Sequence, residues 1–208
     1  MKEHFKHFSD PHFRRSIFLS LGMLICSLII NFYAGVYATD RASNPVTDII
    51  LSNTRVHDLD GLFIYGSWFL FLAIVYLCFR KPWRAPFIIK TISLFVVTRA
   101  LFFSVTHIGP FPTEVPLDLN GILSYFVFGG DLFFSGHTGL PFLLALIHWK
   151  EKPLRYIFLV TSIVLGVVVL LTHLHYTIDV LSAFFISYGI FHIAEHFFKK
   201  DKEFFLSN

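Results

Sequence analysis

The sequence predicts an all-α fold, a polytopic membrane bundle of six transmembrane helices, and three observations carry that prediction. Hydrophobic residues make up 55% of the 208 and charged residues only 15%. The apolar residues gather in runs of roughly 18 to 24, the length at which a helix crosses a bilayer, instead of spreading in amphipathic stripes. Basic residues and turn formers fall between those runs. A single six-helix domain over residues 16–198 is therefore expected, between a cytoplasmic N-terminal segment, 1–15, and a basic cytoplasmic tail, 199–208.

The first span, 16–38, follows Lys2, Lys6, Arg14 and Arg15. Val36-Tyr37-Ala38 loosely fits a signal-peptidase site, but the run is longer than a signal core, so an uncleaved helix is expected. Residues 39–60 turn polar, with Asn44-Pro45 as a turn signal and Ile49-Ile50-Leu51 expected at the membrane surface. The second span, 62–79, ends in a basic loop of Arg80, Lys81, Pro82 and Arg84. The third, 87–106, holds Lys90 near its start, where it can snorkel to the interface, and Arg99 much deeper. Residues 107–130 carry Pro110, Pro112, Pro116, Gly109, Gly121, Gly129 and Gly130, the composition of a structured loop or re-entrant element. The remaining spans are 132–149, 154–171 and 178–198.

Cys26 and Cys78 lie in or beside apolar runs and read as packing residues, not as a disulfide or thiolate site. A net charge of +3 is too small to point to nucleic acid. Its distribution is more informative. Thirteen basic residues fall in the N-terminal segment, the 80–84 loop, the 150–155 loop and the tail, against Arg41 and Arg55 on the other side. Both termini are then expected in the cytoplasm. Arg99, His137, His175 and Asp179 fall at similar depth on the opposite, extracytoplasmic side.

Polar groups within apolar segments are costly unless they have a use, and two stretches hold them: Asp131-Leu-Phe-Phe-Ser-Gly-His-Thr138 and His175-Tyr-Thr-Ile-Asp179. His175 and Asp179 are one helical turn apart, so the carboxylate can fix the imidazole tautomer and leave the other ring nitrogen with its lone pair outward. That is the arrangement of an oriented nucleophile or base. Ser135-Gly136-His137-Thr138 opens a helix, where free amides and the dipole favour an anion such as phosphate. Gly136 permits close approach, Ser135 and Thr138 can donate, and His137 can act as general acid and then base. Arg99 is the cation for such a site, or else the partner of Asp131 or Asp179 in a salt bridge. His173-x-His175 with His107 lacks helically spaced partners for a metal, so none is expected. His192 and His196, beside Glu195, read as a solvated or interfacial face.

Gly130-Asp131-Leu-Phe-Phe-Ser-Gly-His137-Thr138 and His175-Tyr-Thr-Ile-Asp-Val180 resemble the two signature motifs of the sphingomyelin synthases, within the type 2 phosphatidic acid phosphatase superfamily. The segment from Arg99 through Thr106 and Pro110 is similar to that family's region before the signature loop, and Pro45-Val46-Thr47-Asp48 to a proline-rich motif of the first outer loop. The resemblance implies catalysis by His137, His175 and Asp179 without metal or cofactor, with Arg99, Ser135, Gly136, Thr138 and Tyr176 holding the phosphate. His175 would take a phospho-headgroup from a phospholipid donor as a phosphohistidine and pass it to a lipid alcohol acceptor, ceramide or diacylglycerol. The wider superfamily carries a Ser-Arg pair where this chain has Val168 and Val169. Fewer cations suit a diester, so transfer is the expectation and a lipid phosphatase or phosphodiesterase using water the alternative. A catalytically silent binding or transport protein is the non-enzymatic reading, and the short chain suits a bacterial inner membrane.

Overall fold

A computed structural model describes residues 10–114 and 129–206. The N-terminal nine residues, with Lys2 and Lys6, the part of the expected loop holding Pro116 and Gly121, and the last two residues lie outside them. The expected six-helix bundle forms. Its helices are α1 (Pro11–Asp40), α2 (Asp60–Arg80), α3 (Ala85–Thr106), α4 (Gly136–Ile147), α5 (Lys152–Leu171) and α6 (Thr177–Phe197), followed by α7 (Lys199–Leu206). No strand occurs among the described residues. Among the described residues five helices are long and apolar enough to cross a membrane, which marks an integral membrane protein.

α1 lies along α3, while α4 is wedged between α5 and α6. The largest core cluster, including Phe87, Phe95, Phe134, Leu143, Leu144 and Leu165, sits around α3, α4 and α5. Faces such as Phe18, Phe79 and Phe185 stay open, as lipid-facing residues do. Among the described residues eight phenylalanines are buried and contribute to the core.

Three details depart from the expectation. The fourth span, expected over 132–149, is a helix of only 12 residues. That is about 18 Å of rise, short of the roughly 30 Å hydrocarbon core. Phe133 and Phe134 have φ of 123° and 38°, which no right-handed helix admits, so the chain turns sharply before Ser135. Such backbone needs packing to hold it. Phe133 stacks on Phe102 at 5.4 Å, and Phe134 is wedged edge-on between Phe95 at 5.4 Å and Phe102 at 6.0 Å.

Lys90 does not snorkel. It is buried, and Nζ donates to Asp201 Oδ2 at 2.6 Å and to Ser16 Oγ at 2.7 Å. Ser16 Oγ also donates to Asp201. Finally, the basic tail is largely the helix α7, docked by Asp201 and by Phe205, whose ring meets Phe87 at 5.7 Å and lies under the Arg84 guanidinium at 4.6 Å. At the other end Leu51 of the first loop turns inward beside Leu132 and Tyr176, leaving Ile49 outside.

Removing one partner of a buried ion pair leaves an uncompensated charge, whereas replacing both with apolar side chains is often tolerated. Asp201→Ala is expected to destabilise the fold by about 3 kcal/mol, and Lys90→Met/Asp201→Leu to recover most of that loss. Thermal unfolding of the detergent-solubilised variants measures both.

Candidate active site

The two motifs meet through a single residue. Asp179, at the third position of α6, is fully buried, and its Oδ2 accepts from His175 Nδ1 at 3.1 Å and from the Tyr176 amide at 3.1 Å. Its backbone carbonyl accepts the Ser135 amide at 2.9 Å, which joins the start of α6 to the start of α4. His175 is buried, lies just before α6 and is held by its own amide bonded to Val169 O at 3.3 Å. With Nδ1 engaged by a carboxylate, Nε2 is the nitrogen left for chemistry.

Ser135 is the N-cap of α4, and its Oγ accepts the Thr138 amide at 3.4 Å. The amides of Gly136 and His137, in the first turn, have no carbonyl one turn back to bond. Pro141 inside α4 has no N–H, which leaves the His137 carbonyl without its usual helical donor. The His137 ring packs 4.2 Å from Phe63 of α2, and its Nδ1 is buried without a partner among the described residues. His175, Arg99 and Asp131 all lie within electrostatic range of it.

Arg99 forms the salt bridge that was the competing expectation for it: Nη2 donates to Asp131 Oδ2 at 2.7 Å and to Asp131 O at 3.0 Å. Its Nε remains unpaired and faces Gly136, where an added Cβ would stand 3.2 Å away. Glycine at this position thus lets the guanidinium lie against the open end of α4. The other expected phosphate donors are differently employed. Thr138 is fully buried with its hydroxyl toward Gly166 of α5. Tyr176 donates its hydroxyl to Gly109 O at 2.8 Å and accepts the Val46 amide at 3.2 Å, so it ties two loops together.

The first loop supports the same end. Asp48 Oδ2 accepts the Thr177 amide at 2.7 Å and Oδ1 the Thr177 hydroxyl at 2.8 Å, giving α6 its cap from a segment far away in sequence. Burial pushes the Asp48 carboxyl up, but the donors from Thr177, Leu51 and Ile50 outweigh it and hold the group below its usual range. Thr106 Oγ1 donates to Leu132 O at 3.1 Å and fixes the turn before α4. His173 pairs with Thr113 Oγ1 at 2.6 Å, and His107 ends α3 in the left-handed region. Among the described residues no group of histidines, cysteines and carboxylates is arranged to hold a metal.

Residues 129–197 match the family model described as PAP2 superfamily C-terminal. This third of the chain is thus similar to the PAP2 superfamily. It contains Asp131, His137, His175 and Asp179, the residues that converge here. An uncharacterised protein of Methanocaldococcus jannaschii is 27% identical over 147 residues, which cover 68% of this chain and 62% of that relative. The chain therefore spans about three fifths of the relative's length. No solved structure matches it.

Glu114 was not singled out in the sequence. It sits in the proline-bearing loop after α3, its amide bonded to Phe111 O at 2.9 Å, and its carboxyl interacts electrostatically with His175 and Asp131. Burial raises that carboxyl to about 7, the Asp131 charge adding to the rise and His175 opposing it. A carboxylic acid just after Pro110 and Pro112 was the available signal. Because the folded form holds its proton above the ordinary value of 4.5, the protein should lose stability as pH rises from about 4.5 through about 7. Glu114→Gln should flatten that slope, as unfolding temperatures measured from pH 4 to 8 would record.

Proposed function

We propose that the protein is a phospholipid headgroup phosphotransferase of the sphingomyelin synthase type, and the observation that carries the reading is the His175 Nδ1–Asp179 Oδ2 contact at 3.1 Å. In this reading Asp179 accepts a hydrogen bond from Nδ1–H, which keeps its proton throughout, and His175 Nε2 attacks the phosphorus of a lipid phosphodiester. A P–N bond forms, the bond from phosphorus to the diacylglycerol oxygen breaks, and His137 gives that oxygen its proton. His137, now neutral, takes the proton of an acceptor hydroxyl, and the new alkoxide oxygen attacks phosphorus. The P–N bond breaks and His175 is regenerated.

Negative charge spread over the phosphoryl oxygens is met in this scheme by Arg99 and by the Gly136 and His137 amides at the positive end of α4. Arg99 is partly neutralised by Asp131, so the clamp is weak in charge. Val168 and Val169, buried in α5, stand where the wider superfamily carries its Ser-Arg pair. Both features favour a diester with one charge over a monoester with nearly two. The distribution of basic residues supports an extracytoplasmic site with both termini in the cytoplasm.

The test supplies purified protein in micelles with phosphatidylcholine, phosphatidylethanolamine, ceramide and diacylglycerol, in EDTA, and reads products by mass spectrometry. A new lipid carrying the donor's headgroup is expected. His175→Ala should abolish it, and Asp179→Asn should lower the rate roughly 10²- to 10⁴-fold, as loss of a tautomer-fixing carboxylate does elsewhere. Release of headgroup phosphate alone would mean that water is the acceptor and the protein a hydrolase. Equal inertness of wild type and His175→Ala would end the catalytic reading.

A further inference from the structure

At the end of the bundle opposite His175, a cavity of about 550 Å³ opens between the starts of α1 and α3 and the junction of α6 with α7. Arg15 comes to it from α1, Lys90 from α3, and Lys199 and Lys200 from α7, with Asp201 as the carboxylate in its lining. Asp201 is already committed to Lys90 at 2.6 Å, so that pair adds no net charge. Arg15, Lys199 and Lys200 are exposed and remain as a surplus of positive charge. Glu203, a further carboxylate, lines an adjoining groove with His12 and Lys200.

Apart from His12 and Ser16, the rest of the lining is apolar. Leu19 and Phe197 are 51% and 73% exposed, and Phe198 lies beside them. Leu19 continues into the open face of α1 that carries Phe18. The cavity thus offers cations to a headgroup and an uncovered hydrocarbon wall to a chain. A free phosphate would use only the first. Basic residues scattered along an interface attract any anionic surface without a fixed stoichiometry; three cations from two helices converging on one cavity predict a saturable site.

We propose that this cavity binds one anionic phospholipid, its phosphodiester among Arg15, Lys199 and Lys200 and an acyl chain along Leu19 and Phe197. The site is separate from the His175 centre, and its occupancy is read without reference to any reaction there.

Native mass spectrometry of the full chain, titrated with phosphatidylglycerol or with phosphatidylcholine of the same acyl chains, tests this. One phosphatidylglycerol should be retained roughly tenfold or more tightly than phosphatidylcholine. The Arg15→Ala/Lys199→Ala/Lys200→Ala variant, which changes exposed residues and is verified as folded by its unfolding temperature, should lose that preference. Lys150→Ala/Lys152→Ala, which removes two exposed charges elsewhere, should keep it. Equal retention of the two lipids, an unchanged preference in the triple variant, or an equal loss in the control variant would overturn the proposal. So would displacement of the lipid by glycerol 3-phosphate, because the site would then read the phosphate alone.

Discussion

One buried carboxylate organises the site end of this molecule. Asp179 has no exposed surface, and an unpaired carboxylate in such a place is among the least favourable groups a fold can hold. It persists because donors converge on it. The His175 ring and the Tyr176 amide meet Oδ2, and the Ser135 amide meets the same residue's carbonyl. Each of those donors can reach it only if α6 begins at Thr177 and α4 begins just past Ser135. A single residue therefore links two helix starts, its carboxylate to His175 and Tyr176 and its backbone carbonyl to Ser135, and so brings the two histidines together.

The loops complete that arrangement from outside. Asp48 caps Thr177, while the Tyr176 hydroxyl bridges Gly109 and Val46, so three segments far apart in sequence are fastened around the first turn of α6. Gly109 can stand there because it has no side chain: a Cβ would fall 2.1 Å from Ser43 O. Backbone strain at Phe133 and Phe134 is held by ring packing against α3. The site is thus built on rigid supports, the condition under which a few polar groups keep their geometry inside an apolar bundle.

The helices were legible because membrane spans are recognised by length and hydropathy, and both survive reading one residue at a time. His175 with Asp179 was legible because helical spacing is local. What escaped was non-local or conformational. Hydropathy is blind to φ, so Phe133 and Phe134 read as helix when their backbone forbids it. Lys90 looked like a snorkelling side chain because its partner Asp201 is 111 positions away. Glu114 escaped for the same reason, since its neighbours His175 and Asp131 reach it only through the fold. Tyr176 and Thr138 were in the right motifs, but a motif does not say which way a hydroxyl turns.

α3 carries both buried-side cations, and the difference between them follows from their chemistry. Lys90 and Arg99 are nine residues apart, roughly 14 Å along the helix, and each is paired with an aspartate from a distant segment. Lys90 is a compact charge, and its contacts with Asp201 and Ser16 make it a structural clasp for α7. Arg99 spreads its charge over a planar fork with donors on several edges. Asp131 takes Nη2, yet Nε still points at Gly136 and the open amides of α4. A lysine at position 99 could satisfy Asp131 but would leave no second edge for an incoming anion. The same pairing that makes a deep cation tolerable in an apolar bundle therefore leaves Arg99 with a donor, Nε, facing the start of α4.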